Sequence, residues 1–193
     1  MGRVTETHAS TAELRNQPLV IVHTGDGKGK TTAALGIALR TWAAGGSVGV
    51  FQFVKSGRWR VGEQRAFQEL GELGPRVQWE ALGQGWSWIR SPFSEDQKAE
   101  AARAGWRHVA EGIAEQRHQL WLLDEFTYPM AWGWVDPAEV IDTLRARPGK
   151  QHVIITGRRC PEPVIEFADL VTEMTKIKHP FDRGQRGQIG IEW

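Results

Sequence analysis

"LVIVHTGDGKGKTTAALGIALR" (residues 19–40) joins an apolar β-type run, a glycine-rich loop and an alanine-rich helical run in that order. A loop so placed turns its backbone N–H groups inward and meets the positive end of the following helix, which makes a cradle for phosphate groups. The usual form of the cradle is Gly-x4-Gly-Lys-Ser/Thr, and its closing triplet is here Gly29, Lys30 and Thr31. Counting back places Thr24 where the first glycine usually stands. Gly25, Gly27 and Gly29 still supply the backbone freedom a tight turn needs. Lys30 is expected to meet phosphate oxygens as a point charge, and the Thr31 hydroxyl to ligate Mg²⁺, with Mn²⁺ as an alternative. Asp26, Lys28 and Thr32 complete the candidate nucleotide-binding segment.

Working outward, β-type runs alternate with helical patterns along the rest of the chain. Strands are expected over 19–24, 47–54, 77–82, 120–126, 152–157, 170–177 and 188–193, and helices over 30–43, 63–73, 95–117, 137–147 and 162–168. Strands separated by helices belong to a parallel sheet with right-handed crossovers. The fold class is therefore α/β, a phosphate-loop nucleotide-binding fold with a mostly parallel sheet flanked by helices. The helix from residue 95 has the clearest start, because "SEDQ" (94–97) has the Ser-x-x-Gln form of a capping box. Trp106, Val109, Ala110 and Ile113 then recur on one face of it. Residues 1–17 are polar and weakly patterned and are expected to form a flexible arm, followed by a single domain over 18–193.

Composition narrows the function classes. With 24 basic against 23 acidic residues the net charge is +1, without the positive excess that marks nucleic-acid binders. No apolar stretch approaches the roughly 20 residues of a membrane span, and the N-terminus lacks the apolar region of a signal peptide. The single cysteine, Cys160, has no partner for an internal disulfide and no metal-ligand spacing around it, so a reducing, cytoplasmic setting is expected. Ten tryptophans against one tyrosine is the compositional oddity. Trp is costly to place unless its face packs and its N–H finds a partner, so several are candidates to face a large flat ligand.

Two further segments carry chemistry. "LWLLDEF" (120–126) is an apolar strand ending in Asp124 and Glu125, where a phosphate-loop scaffold keeps its metal-side carboxylate. The general pattern favours Asp124. "GQGWSWIRS" (83–91) places Trp86 and Trp88 two apart, so that in an extended segment both rings share one face. On these residues alone, core packing is the more ordinary role for that pair.

Together with "HTGDGKGKTTAALG", "GVFQFVKSGRW", "GWSW", "LLDEFTYPM", "ARPGKQHVIITGRRCPEPVIEFADLVTEM" and "KHPFDRGQRGQIGIEW", the ordered set resembles the ATP:corrinoid adenosyltransferases acting on cob(I)alamin or cob(I)yrinic acid a,c-diamide. The resemblance spans nearly the whole chain. It implies a homodimer in which N-terminal arms help cover the sites, and displacement at the 5′-carbon of ATP by a Co(I) corrinoid with triphosphate as an intact leaving group. It further implies that Gly25 through Thr31 grip the triphosphate, that Lys30 is catalytic, and that Thr31 and Glu125 hold Mg²⁺. Asp124 thus remains the alternative to Glu125. Trp86 and Trp88 fall where the family keeps an aromatic pair against the lower face of the corrin ring, displacing the lower axial ligand. Trp86 stands where the family often has Phe. An external reductase is implied, because no flavin or iron–sulfur motif is visible.

Arg158 and Lys178 are candidate anion contacts, with structural ion pairs as the competing role. Two rival activities share the loop. One is a kinase or ATPase acting on the γ-phosphate, with Arg58 or Arg159 as its finger; the other is a nucleotide-gated corrinoid carrier.

Overall fold

The computed structural model describes residues 17–54, 62–83 and 93–191. Six strands, β1 (Val20–Thr24), β2 (Val48–Gln52), β3 (Val77–Ala81), β4 (Leu120–Asp124), β5 (His152–Thr156) and β6 (Leu170–Glu173), form one sheet in the order β3-β2-β4-β5-β1-β6. Every pairing is parallel. The helices are α1 (Lys30–Ala43), α2 (Gly62–Leu73), α3 (Glu95–Ala114), α4 (Thr127–Ala131), α5 (Pro137–Ala146) and α6 (Glu162–Phe167).

Both faces of the sheet are covered, which is why its central strands are apolar throughout rather than alternating. Side-chain alternation divides β4: Leu120 and Leu122 join Ala34, Leu35 and Ala38 of α1 and Phe67 of α2 on one face. Trp121 and Leu123 join Trp106, Val109 and Ile113 of α3 with Val140 and Leu144 of α5 on the other. The expected helical face of α3 is therefore its packed face. Its capping box is present, with the Ser94 hydroxyl accepting from the Gln97 N–H and the Gln97 side chain from the Ser94 N–H.

Three sequence expectations need correction. No strand forms over 188–191, where the chain makes turns and leaves Ile189 and Ile191 exposed; alternation of apolar residues there meets no sheet edge. The strand expected over 170–177 ends at Glu173, because the Met174 backbone turns to the phosphate loop and its carbonyl accepts the Gly27 N–H. The helix expected to reach residue 117 stops at Ala114, and Gln116 just beyond it has a left-handed φ of 55°. Two elements were unforeseen: α4, and a 3₁₀ turn over Pro180–Arg183.

The strand order positions the site. From β1 the chain crosses through α1 to β2 on one side, while β6 lies on the other, and β4, β5 and β1 are adjacent. In open parallel sheets, ligands bind beyond the carboxyl ends of strands at such a change of direction.

Candidate active site

The phosphate loop leaves β1 through Gly25 (φ 92°) and enters α1 through Gly29 (φ 106°), both left-handed conformations that glycine adopts without penalty. A Cβ on Gly25 or on Gly27 would lie 2.6 Å from the Met174 carbonyl oxygen, so the strand end after β6 and the loop can touch only because these residues lack side chains. Thr24, in the usual first-glycine place, belongs to β1 and is buried; its carbonyl accepts the Met174 N–H at 2.9 Å. The turn starts one residue later than the motif suggests.

Lys30 is buried, and its Nζ donates to the carbonyls of Gly25 at 2.7 Å and Gly27 at 2.6 Å. The ammonium therefore sits inside the loop rather than out in solvent. Burial holds it below the ordinary lysine range; Glu125 opposes that shift, Arg158 adds to it, and Asp26 and Asp124 oppose it. Lys28 is lowered too, by burial and by Arg158. Arg158 also reaches Asp26, with Nη1 3.6 Å from Oδ1. Arg158 thus repels both Lys28 and Lys30 around one loop, an arrangement that an anion would relieve.

Opposite the loop, at the end of β4, Asp124 is fully buried. Its Oδ1 accepts the hydroxyls of Thr31 at 2.7 Å and Thr156 at 2.8 Å, and its Oδ2 accepts Gln52 Nε2 at 3.1 Å. Thr31 thereby points its proton at Asp124, which leaves the hydroxyl oxygen's lone pairs directed away from that carboxylate. Glu125 follows in a left-handed conformation, φ 59°, and its N–H donates to Thr156 Oγ1 at 3.0 Å. A non-glycine residue there costs of order 1–3 kcal/mol and is retained where surrounding contacts enforce it. Gly157 makes room beside this carboxylate: a Cβ there would lie 3.3 Å from Glu125 Oε2 and collide with the Thr127 hydroxyl, which donates to the Arg158 carbonyl.

The structure thus brings Gly25, Asp26, Gly27, Lys28, Gly29, Lys30, Thr31, Thr32, Asp124 and Glu125 to one end of the sheet. Trp86, Trp88 and Arg58 lie outside the described residues. Lys178 is exposed in the chain following β6. Trp106 and Trp121 are core residues with satisfied N–H groups, donating to Glu139 Oε1 at 3.0 Å and Gln151 Oε1 at 2.8 Å respectively. Gln52 and Thr156 went unnoticed in the sequence. Their only signal is a polar residue within or closing an apolar run, Gln52 inside "SVGVFQFV" and Thr156 at the end of "HVIIT".

The family profile described as "ATP:corrinoid adenosyltransferase BtuR/CobO/CobP" matches residues 16–193. The chain belongs to the ATP:corrinoid adenosyltransferase family. Among curated relatives, the corrinoid adenosyltransferase of Escherichia coli strain K12 is 40% identical over 175 residues, covering 91% of this chain and 85% of that one. Corrinoid adenosyltransferase CobA of Salmonella typhimurium strain LT2 is 39% identical over 191 residues, covering 99% and 92%. The Pseudomonas aeruginosa corrinoid adenosyltransferase is 37% identical over 176 residues, covering 91% and 83%. No helix among the described residues is long and apolar enough to cross a membrane.

Proposed function

We propose that the protein transfers the 5′-deoxyadenosyl group of ATP to a Co(I) corrinoid, releasing triphosphate and giving adenosylcobalamin or a precursor of it. The observation that carries this reading is the pairing of the phosphate loop with the β4 carboxylates, Thr31 on Asp124 at 2.7 Å, in a chain of this family. In the reaction, the Co(I) lone pair forms a bond to C5′ while the C5′–O bond breaks, and its electron pair leaves on the triphosphate. Backbone N–H groups between Gly25 and Thr32 hold that leaving group, except that of Gly27, which is donated to the Met174 carbonyl. Lys30 opposes the negative charge that grows on it, and a triphosphate beside Lys30 in turn favours its protonated form.

Thr31, Asp124 and Glu125 offer only oxygen donors, the set that suits Mg²⁺ or Mn²⁺. No group of three or more His, Cys, Asp or Glu gathers among the described residues, which suits an ion taking most of its ligands from phosphate and water. Bound there, Mg²⁺ supplies charge neutralisation to the triphosphate. Thr31 and Glu125 are its proposed ligands, with Asp124, whose two oxygens accept from Thr31, Thr156 and Gln52, holding Thr31 in place. Trp86 and Trp88 are proposed to lie against the lower face of the corrin ring and exclude its lower axial ligand, leaving four-coordinate Co(II) that an external reductase can reduce. A homodimer, with arms 1–17 helping to cover the sites, and a cytoplasmic setting complete the proposal. The family assignment gives no support to γ-phosphate transfer or to carriage without chemistry.

Incubation with ATP, Mg²⁺ and a chemically reduced corrinoid, followed by chromatography of both products, tests this reading. Adenosylcorrinoid and triphosphate are expected in equal amounts. ADP formed in step with corrinoid consumption, or ATP left intact beside bound corrinoid, contradicts it.

A further inference from the structure

Thr156 closes β5, is fully buried, and has a hydroxyl that does two things at once. It accepts the Glu125 N–H at 3.0 Å and donates to Asp124 Oδ1 at 2.8 Å. The two residues it joins are consecutive, yet they do different work. Asp124 ends β4 in regular strand geometry, whereas Glu125 turns out of the strand with a left-handed φ of 59°. Something must hold that turn. The hydrogen bond from the Glu125 N–H is made in the turned conformation, and its acceptor is fixed by the parallel pairing of β4 with β5, which runs from Leu120 opposite His152 to Leu123 opposite Ile155. The same oxygen uses its proton on Asp124, which in turn receives the Thr31 hydroxyl at 2.7 Å. One hydroxyl therefore ties the Glu125 backbone, at the turn that launches its side chain, to the Asp124 carboxylate and, through Asp124, to Thr31.

We propose that Thr156 is a positioning residue for the metal–nucleotide end of the site: it fixes the separation of the Thr31 oxygen from the Glu125 carboxylate, and so the affinity for the divalent cation that accompanies ATP. The inference rests on the reading of this end as a Mg²⁺–ATP site. Thr156 touches neither nucleotide nor metal. Groups that orient a metal's ligands typically change metal affinity by about 10- to 100-fold when removed. A hydroxyl with both a donor and an acceptor role is not replaced by a methyl of equal size, so Thr156→Val removes the orientation while conserving volume. Thr156→Ser keeps the hydroxyl.

The test is calorimetric titration of the full-length protein with ATP, once with Mg²⁺ and once with a chelator, together with a melting curve for each variant. In the wild type, Mg²⁺ tightens ATP binding. In Thr156→Val that tightening shrinks by about 10-fold or more while chelator affinity stays at the wild-type value, and Thr156→Ser restores it. Should Thr156→Val not fold, Thr156→Cys, whose thiol is a weak donor and acceptor, carries the same comparison. An undiminished Mg²⁺ effect in a variant that merely melts earlier overturns the positioning role and leaves the site reading standing. Absence of any Mg²⁺ effect in the wild type overturns both.

Discussion

The two ends of the central strand β4 bury polar groups in opposite ways. At its base, His118, Trp121 and Gln151 are closed off from water in a setting of aromatic rings: Trp121 stacks on Phe51 with centroids 5.5 Å apart, and His118 meets Trp121 edge-on at 4.8 Å. The groups there are neutral. Gln151 accepts the Trp121 N–H and donates to the Ile113 and Pro148 carbonyls, so the amide ties α3, β4 and the start of β5 into one block. At the carboxyl end, charged groups are buried instead: Lys30 inside its loop and Asp124 beneath it, each held by short hydrogen bonds. At the base the Trp121 and Gln151 groups are paired and neutral, although His118 Nδ1 has no hydrogen-bond partner among the described residues. Such burial rigidifies a core, whereas burial of charges near one another is costly unless a ligand or partner repays it. The base is therefore expected to carry the stability, and the top the chemistry proposed above.

The comparison breaks most sharply if the wrong end controls folding. Trp121→Ala should destabilise by about 3–5 kcal/mol, the usual cost of truncating a buried Trp, because it opens a cavity and strips Gln151 of a donor. Denaturant unfolding measures this; a loss within experimental error would mean the base is not the stabilising block. Lys30→Ala should instead lower adenosylation by about 10²–10³, the usual worth of one charge-stabilising contact made in the transition state. Steady-state rates with pre-reduced corrinoid check it, and a variant within a few-fold of wild type would remove Lys30 from the reacting phosphates.

Smaller effects sharpen the division within the upper end. Thr31→Ala and Glu125→Ala should each raise the Mg²⁺ concentration needed for half-maximal rate, by about 10-fold or more. Asp124→Asn is expected to raise it less, since an amide oxygen can still accept the Thr31 hydroxyl. If only the Asp124 change shifts the Mg²⁺ curve, the ligand assignment passes to Asp124. At the base, burial pushes His118 down to about 4 from 6.5, with Arg76 and Arg117 acting in the same direction and Glu80 against. Its folded-state value is depressed, so the unfolded chain binds the extra proton first. The contribution of neutral His118 to stability is then present above about 6.5 and is lost as pH falls toward about 4. Melting temperature across that window should fall less steeply in His118→Gln than in the wild type.

The same two ends differ in how legible they were. The loop from Gly25 to Thr31 and the strand leading into Asp124 and Glu125 could be read because the motif and apolar periodicity are local in sequence. Asp124 and Glu125 could not be assigned separate tasks, because what divides them is Thr156 and Gln52, which reach them from neighbouring strands. Strand order decides that meeting, and the sequence carries no local signal of order. Helix α4 was hidden for a different reason. Pro129 looks like a breaker, yet it lies in the first turn of the helix, where its missing N–H costs nothing. The excess of tryptophan drew attention toward a flat ligand, while Trp106 and Trp121 serve the core and keep their N–H groups paired.

The central claim is that the upper end grips a triphosphate that leaves whole, with cleavage at carbon rather than phosphorus. ATP carrying ¹⁸O in the bridge between C5′ and the α-phosphorus tests it most directly, with a reduced corrinoid as acceptor and mass spectrometry of the products. The account predicts that all the label appears in triphosphate and none in the adenosylcorrinoid. Label retained on the nucleoside, or found in AMP or ADP, would place the broken bond between oxygen and phosphorus and contradict it.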